Sequence, residues 1–281
     1  MNSISFEFKE IFGEDFKTLG EGDFFPTCYI SLLPAGNMRR ENPRAKSENR
    51  YRLFQKLQIP NELAISAVQV HSKRVLFFES KNSFSTETEA DGIITTNENF
   101  VPAVLVADCM PIFLYDKNAK AFGVLHSGWK GTGISLEAIS LLAKNFGSKP
   151  SEIYFILGPH IRDCCYNVDR KRANFFRSIE KNSVRLLPKK LFQLSPWHYS
   201  LSLAQANISL LLKAGVPKEN IFDMELCTSC TKFAELVERG FLPKLKTETR
   251  DDFAFGSNRR ENFNGKRSFT QMLAFMHWKK F

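Results

Sequence analysis

Short apolar runs separated by turn residues fill the middle of the chain. The runs are rich in Val, Ile and Phe, which is typical of buried β-strands. The pattern predicts strands over 64–70, 74–79, 91–96, 103–107, 111–116, 121–126 and 152–157. The last of these ends at Gly158-Pro159, two residues that interrupt regular structure.

Helical spacing of apolar residues is found between and after these runs. It predicts helices over 47–58, 133–146 and 203–214. Ser202 and Gln205 form a capping box at the start of the third helix, and Gly147 closes the second. Strands and helices do not alternate strictly, so we expect an α+β fold with mixed β-sheets packed against flanking helices. We expect a single domain over 1–281, with a charged insertion or loop at about 231–254.

Composition narrows the class of protein. Apolar residues make up 43% of the 281-residue chain, which excludes a disordered protein. No apolar run is long enough to span a membrane, and the first fifteen residues are too acidic for a secretory signal. Six cysteines are too few for a disulfide scaffold. We therefore expect a soluble, cytoplasmic globular protein.

The net charge of +9 is compatible with an anionic partner. The basic residues are scattered along the chain, however, and the 27 Phe residues are spread as core residues are. The pattern favours a solvated basic surface over nucleic-acid binding.

Three reactive residues follow predicted strands. His71 comes after 64–70, Cys109 lies between 103–107 and 111–116, and His126 ends 121–126. Two imidazoles and one thiolate suit Zn²⁺, and three protein ligands leave a fourth position open for catalysis. By spacing alone, each residue is equally compatible with an ordinary structural position.

The segment Ser127-Gly128-Trp129-Lys130-Gly131-Thr132 follows the third candidate ligand. Its glycines and the helix start at 133 suit an anion, to which Lys130 adds a charge. The alternative is an ordinary strand-to-helix turn with Thr132 as the N-cap.

A second set of cysteines offers a rival metal site. Cys227 and Cys230 have C-x-x-C spacing, and the adjacent Cys164 and Cys165 supply two further thiols. Adjacent cysteines rarely bind one tetrahedral ion, so this spacing favours a four-cysteine zinc site less than the mixed site. A thioredoxin-like redox pair is favoured less still.

Several of these segments together resemble the bacterial laccase-domain family, also called the YfiH or polyphenol-oxidase-like family, which is related to a human macrophage purine nucleoside phosphorylase. The segments that carry the resemblance are 69–71, 90–95, 107–112, 126–132, 158–161, 164–168, Cys227-Thr228, Phe255, Ser257, Arg259-Arg260 and 265–267, with Asn37 and 48–50 nearer the N-terminus. The chain departs from the family at Ser127 and Lys130, where Ala and Arg are usual. Lys lacks the bidentate fork of Arg, so the anion geometry is expected to differ.

The resemblance implies a YfiH-like fold and a zinc ion, with copper as an alternative, bound by His71, Cys109 and His126. It implies phosphorolysis of adenosine, inosine and methylthioadenosine, with adenosine deamination as a side activity. Asp108 is the candidate proton carrier. The candidate phosphate or substrate ligands are Lys130, Arg259, Arg260 and Arg50.

Three other functions remain open on the sequence. The first is a copper polyphenol oxidoreductase, although five histidines are few for a multicopper cluster. The second is a cysteine hydrolase with Cys109 as nucleophile and His126 as base. The third is a cell-wall (peptidoglycan) editing factor. The partners expected are small molecules, and the chain is expected to be a monomer or a weak oligomer.

Overall fold

The structure is a computed structural model that describes residues 2–13, 25–41, 47–80, 85, 87–188, 197–243, 252–262 and 269–278. The strands are β1 (Ser3–Glu7), β2 (Pro26–Ser31), β3 (Ala64–Ile65), β4 (Val75–Phe77), β5 (Gly92–Thr95), β6 (Val101–Val106), β7 (Met110–Asp116), β8 (Ala121–Ser127), β9 (Ile153–Leu157), β10 (Asn167–Val168), β11 (Val184–Leu186), β12 (Tyr199–Leu201), β13 (Ile221–Asp223) and β14 (Met272–Trp278). The helices are α1 (Phe8–Phe12), α2 (Glu48–Lys56), α3 (Ile134–Phe146), α4 (Arg170–Ile179), α5 (Leu203–Lys213), α6 (Phe233–Glu238) and α7 (Asn258–Glu261).

These strands form mixed sheets, as the sequence predicts. A six-stranded sheet has the order β13-β9-β7-β8-β5-β4, and a five-stranded sheet has the order β1-β2-β14-β6-β3. The pairs β13–β9, β4–β5 and β3–β6 are parallel, and the other pairs in these two sheets are antiparallel. A smaller sheet has the order β10-β12-β11. The predicted single-domain α+β architecture is therefore confirmed.

The six-stranded sheet is buried on both faces, which explains why its strands are continuously apolar. Phe113 of β7 packs edge-on against Phe6 of the five-stranded sheet, with ring centroids 5.4 Å apart. Ile112, its neighbour on β7, belongs to the core on the opposite face, together with α3 and α5. On the outer face of the five-stranded sheet, Phe54 of α2 packs against Phe275 of β14. Each such buried side chain stabilises the fold by roughly 1.5–3 kcal/mol.

Most of the predicted elements are confirmed, with bounds that differ by at most two residues. The range 64–70 is the exception, because only Ala64–Ile65 is a strand. The side chain of Asp91 accepts hydrogen bonds from the backbone N–H groups of Val70, His71 and Ser72. These N–H groups are thus unavailable to a sheet, and the segment bends.

The start of α3 differs from the expected turn with Thr132 as N-cap. Gly133 occupies the N-cap position with φ of 90°, a left-handed conformation that favours glycine. The Thr132 hydroxyl instead donates to the carbonyl of Gly128 at 2.9 Å. The alternative considered for this segment, a turn with Thr132 as the N-cap, therefore does not hold.

The charged range 231–254 is described only in part. Its first part contains α6, with Phe233 and Leu236 buried, and residues 244–251 lie outside the described residues. That this range is an insertion stays a prediction.

Candidate active site

The structure brings the three predicted metal ligands together. The candidate donor atoms of His71, Cys109 and His126 all lie within 4.8 Å of one another. His126 lies in β8, and Cys109 immediately precedes β7, which pairs with β8 so that Pro111 is opposite His126. His71 comes from the bent segment before β4 and has a left-handed φ of 59°. The imidazole rings of His71 and His126 are 4.9 Å apart.

Asp91 orients the ring of His126 and holds the backbone of His71, a role that the sequence did not predict. Its carboxylate is fully buried and lies 2.8 Å from Nδ1 of His126. The same carboxylate accepts the backbone N–H of His71 at 3.0 Å. A carboxylate behind a ligating imidazole fixes the orientation of the ring and makes it a better ligand. The available signal was the position of Asp91 directly before strand β5, within a segment that carries the family resemblance.

The electrostatics of the cluster favour a thiolate. Burial by itself would raise the pKa of the Cys109 thiol, but the charges and hydrogen bonds of His126 and His71 lower it to about 6. Burial would likewise lower the pKa of His126, but Cys109 and Asp91 raise it to about 9. Without an ion, the buried pair is thus arranged as thiolate and imidazolium. An ion would displace the imidazolium proton, so binding it releases a proton.

Gly128 makes room for the sulfur of Cys109. A Cβ atom at position 128 would lie 2.6 Å from Cys109 Sγ and 3.6 Å from a carbon of the His71 ring. Such a short contact forces the thiol to move. The glycine after β8 is therefore required by the cluster itself.

Two N–H groups at the start of α3, where the sequence predicts an anion site, have protein partners. The backbone N–H of Gly133 donates to Oδ1 of Asn207 on α5, and that of Ile134 donates to the carbonyl of Gly131. Oδ1 of Asn207 also accepts the hydroxyl of Ser127, so Asn207 holds both ends of the loop. No sequence motif had pointed to Asn207, because α5 and the loop are far apart in the chain.

The ligand cluster lies in the wall of a cavity of about 660 Å³. Arg50 and Arg259, two of the predicted anion ligands, line this cavity together with Asp108. Lys130 is exposed and is not among the lining residues. Arg260 does not line the cavity either: its guanidinium donates to the carbonyls of Thr228 and Ser229 and lies over the ring of Phe253.

Asp108 connects three segments at the edge of the cavity. Its φ of 81° is left-handed, and it immediately precedes the ligand Cys109. Oδ1 accepts the hydroxyl of Thr228 at 2.7 Å, and Oδ2 accepts the backbone N–H of Arg259 at 2.6 Å. Burial raises the pKa of Asp108, against the opposing effect of these hydrogen bonds. This direction is compatible with the predicted proton carrier, although both oxygens already have partners.

The cavity holds more cations than the sequence reasoning assigned to it. Five arginines line it, namely Arg39, Arg40, Arg50, Arg172 and Arg259. The guanidinium of Arg172 lies 4.3 Å from the centre of the Trp129 ring, and that of Arg259 lies 4.1 Å from the Trp197 ring. The Nε of Arg172 is buried and has no hydrogen-bond partner among the described residues. An unpaired buried donor beside a cavity favours an anionic ligand.

Comparison with known families gives a consistent picture. The profile of the family described as "Multi-copper polyphenol oxidoreductase laccase" matches residues 26–234, which include all three ligands. The chain belongs to this family. "Purine nucleoside phosphorylase YlmD" of Geobacillus stearothermophilus is 34% identical over 205 residues, which are 68% of this chain and 73% of that protein. "Purine nucleoside phosphorylase LACC1" of Homo sapiens is 30% identical over 228 residues, 79% of this chain and 50% of the human protein.

Solved structures of similar proteins support the fold of this laccase-family chain. YlmD from Geobacillus stearothermophilus superposes with a TM-score of 0.70 at 28% identity, covering 91% of this chain and 92% of that one. The hypothetical protein YfiH of Bacillus licheniformis has a TM-score of 0.72 at 24% identity, covering 90% and 93%. The second likeness concerns the fold alone.

The family description names a multicopper oxidoreductase, which would need several copper sites. Within the described ranges, which include all five histidines, two groups of three or more His, Cys, Asp or Glu lie close enough to hold an ion. One is the cluster of His71, Cys109 and His126, and the other contains only cysteines. Neither is a histidine-rich multicopper cluster. No helix in the described part of the chain has the length and apolarity needed to cross a membrane.

Proposed function

We propose that this chain is a purine nucleoside phosphorylase acting on adenosine, inosine and methylthioadenosine. An oxygen of inorganic phosphate forms a bond to C1′ of the ribose while the bond from C1′ to N9 of the purine breaks. The electron pair of that bond leaves with the base, which takes up a proton. The products are the free purine and ribose 1-phosphate, or its methylthio derivative. One observation carries the proposal: the same cavity is lined by a candidate metal site with three protein ligands and by a group of arginines.

The arginines supply the phosphate site. Arg172 and Arg259 are held in place by the rings that they cover, and Arg172 keeps a buried Nε without a partner among the described residues. Guanidinium groups bind phosphate oxygens through two parallel hydrogen bonds. Fixed cations beside the ribose stabilise the attacking phosphate and reduce its mutual repulsion with the leaving base.

The aromatic and apolar lining supplies the base site. Trp129 and Tyr166 line the cavity, and so do Leu105, Ile161 and Leu203. A purine is flat and apolar on its faces, so a ring such as Trp129 can pack against it. Asp108 lies in the same cavity and is the candidate proton carrier for the leaving base.

Zinc is the metal that we propose for the ligand cluster. Two imidazoles and one thiolate fit its preference for nitrogen and sulfur, and Asp91 supplies the supporting carboxylate that ligating histidines usually have. When bound, Zn²⁺ would supply a Lewis acid at the edge of the cavity. Copper fits the same donors, and metal analysis of the purified protein decides between them.

A second candidate function is a cysteine hydrolase. The carboxylate of Asp91 contacts the base His126, which in turn lies beside the nucleophile Cys109. The pKa of the Cys109 thiol is lowered to about 6, which favours the nucleophilic thiolate. The two functions differ in their need for metal, because an ion on Cys109 would occupy the nucleophile. A chelator that abolishes activity supports the phosphorylase, and one that increases it supports the hydrolase.

The deciding experiment is chromatography of adenosine incubated with the protein, with and without phosphate. We expect adenine that forms only with phosphate and is absent with the Cys109→Ala variant. Cys28→Ala is the matched control, since Cys28 is buried in β2 away from both clusters. Inosine formed without phosphate would indicate adenosine deamination instead. If adenosine, inosine and methylthioadenosine give neither a phosphorolysis product nor a deamination product, the proposal is contradicted.

A further inference from the structure

Four of the six cysteines form a cluster outside the cavity. Cys164 and Cys165 lie in a turn that follows β9, and Cys227 and Cys230 lie in a turn that follows β13. All four sulfurs lie within 4.8 Å of one another, although the two pairs are more than 60 residues apart in the chain. None of them is among the residues that line the cavity.

The spacing of the sulfurs fits a tetrahedral ion. Zinc–sulfur bonds of ~2.3 Å place the sulfurs of a tetrahedral site ~3.8 Å apart. The sulfurs of Cys164 and Cys230 are 3.7 Å apart. A disulfide bond requires ~2.05 Å, and all six cysteines are free thiols in this structure. The cluster therefore needs little adjustment to surround an ion.

Adjacent cysteines rarely share an ion, but the backbone around Cys164 and Cys165 forms a tight turn that allows it. The N–H groups of Cys165 and Tyr166 both donate to the carbonyl of Arg162, at 2.9 and 2.7 Å. This tight turn brings the thiols of Cys164 and Cys165 into the same cluster. In an extended strand, two successive side chains would point to opposite sides.

Backbone N–H groups donate to the sulfur of Cys227, the first cysteine of the C-x-x-C turn. The N–H of Arg162 lies 3.5 Å from Sγ of Cys227, and the N–H of Thr231 donates to the carbonyl of Cys227 at 3.0 Å. The N–H of Ser229, inside the turn, also donates to Sγ of Cys227. Hydrogen bonds from backbone N–H groups to sulfur stabilise the thiolate form that binds metals.

One cationic side chain, that of Arg260, flanks the cluster. One nitrogen of Arg260 donates to the carbonyls of Thr228 and Ser229, at 3.1 and 3.0 Å, and the guanidinium lies 4.0 Å from the ring centre of Phe253. These two carbonyls lie between the cysteines of the C-x-x-C turn. A divalent ion with four thiolates carries a net charge of −2, and a fixed guanidinium beside it offsets part of that charge.

We propose that the chain holds a second, structural metal site, a Zn²⁺ ion bound by the four thiolates of Cys164, Cys165, Cys227 and Cys230. A closed set of four protein ligands leaves no position for substrate, so this ion has no part in the chemistry of the cavity. Its role is to join two segments. One carries Tyr166, which lines the cavity, and the other carries Thr228, which donates to Asp108.

Metal analysis of protein purified under anaerobic, reducing conditions tests the proposal. We expect about two zinc ions per chain in the unmodified protein and about one in either Cys109→Ala or the Cys227→Ser/Cys230→Ser double variant. Cys28→Ala is the control and retains about two. About one ion in the unmodified chain, with none in Cys109→Ala, would overturn the proposal. This result would be independent of whether the cavity is a phosphorylase.

X-ray absorption of the Cys109→Ala variant provides a test that does not depend on folding of the double variant. We expect the remaining zinc to have a first shell of four sulfurs at ~2.3 Å. A shell that contains nitrogen or oxygen would overturn the four-thiolate site. Iron in a four-sulfur shell would overturn the assignment of zinc and retain the site.

Discussion

The two cysteine clusters differ in chemistry and in position. The mixed cluster has two imidazoles and one thiolate, lies in the wall of the cavity and is supported by the buried carboxylate of Asp91. The other has four cysteine sulfurs, lies outside the cavity and contains two exposed cysteines, Cys164 and Cys230. Three protein ligands leave a position for chemistry, whereas four close the site. The number and kind of ligands, together with access to a cavity, therefore separate a catalytic role from a structural one.

The two clusters are nevertheless connected through one hydrogen bond. Thr228 lies in the C-x-x-C turn of the four-cysteine cluster, and its hydroxyl donates to Asp108, the residue before the ligand Cys109. A variant that disturbs the C-x-x-C turn can therefore displace Asp108 and, with it, the neighbouring Cys109. Variants that affect one cluster and spare the other test how independent the two are.

The largest effect is expected for Cys109→Ala. The substitution removes one of three ligands, and we expect phosphorolysis to fall by ~10³-fold or more, since the ion and its chemistry are lost together. The folded structure should persist, because Cys109 is only half-buried. Activity and thermal unfolding measured side by side check this. Activity within tenfold of the unmodified protein would remove Cys109 from the catalytic site.

Gly128→Ala tests the close contact at the mixed cluster. The added Cβ would lie 2.6 Å from Cys109 Sγ, so the sulfur must move and the affinity for the ion should fall by ~10–100-fold. Titration with a competing chelator measures this affinity. Gly147→Ala is the matched control, because a Cβ there meets nothing within 4 Å although the φ of 69° is strained. The control should lose stability and keep the metal, and equal losses of metal would contradict the steric argument.

Asp91→Asn tests the support of the histidines. It preserves the size of the side chain and removes the charge behind His126, so we expect ~10–100-fold weaker metal binding at the mixed cluster. The four-cysteine cluster should be unaffected. Chelator competition followed by metal analysis separates the two, and an equal loss at both clusters would indicate general unfolding.

The pH dependence of unfolding sharpens this prediction. Burial would raise the pKa of Asp91, but hydrogen bonds from His126 and Ser72 lower it to about 2 in the folded protein. The unfolded value is ~3.9, so the stabilisation by Asp91 is fully present above about pH 4 and is lost as the pH falls towards about 2. Acid unfolding of the metal-free protein should show this loss, and Asp91→Asn should lack it. Identical acid profiles would contradict the assigned pKa.

Thr228→Val tests the link between the clusters. It leaves Oδ1 of buried Asp108 without its hydroxyl donor, and we expect a loss of stability of about 1–3 kcal/mol. Both metal sites should remain loaded, because Thr228 is not a ligand. Thr228→Ser keeps the hydroxyl and is the control. Equal stability of the two variants, measured by denaturant unfolding, would show that the hydrogen bond contributes nothing.

The smallest effect is expected for Lys130→Ala. Lys130 is exposed and does not line the cavity, so the KM for phosphate should change less than ~2-fold. Arg259→Ala is the comparison and should raise this KM by ~10-fold or more, because Arg259 lines the cavity. A larger effect of Lys130 than of Arg259 would reverse our placement of the phosphate.

The sequence alone predicted most of the elements and the candidate ligands of the mixed cluster. The strands around Cys109 and His126 are continuously apolar because their sheet is buried on both faces, and this pattern is visible without coordinates. The positions of reactive residues in or beside such a strand are set by local structure. The sequence could therefore predict Cys109 and His126 as candidate ligands. His71 is predicted with them from its place after 64–70, and the resemblance to the family supports all three as one candidate ligand set.

Only the tertiary structure decided which groups support these ligands. The side chains of Asp91 and Asn207 contact segments that are distant in sequence. Arg172 lines the cavity from α4, and Arg260 donates hydrogen bonds to carbonyls of the C-x-x-C turn. The four cysteines looked like a weak candidate because a tight turn at Cys164 and Cys165 was not predictable from spacing. Periodicity reports which face of an element is buried, whereas contacts between distant segments depend on how the sheets and helices pack.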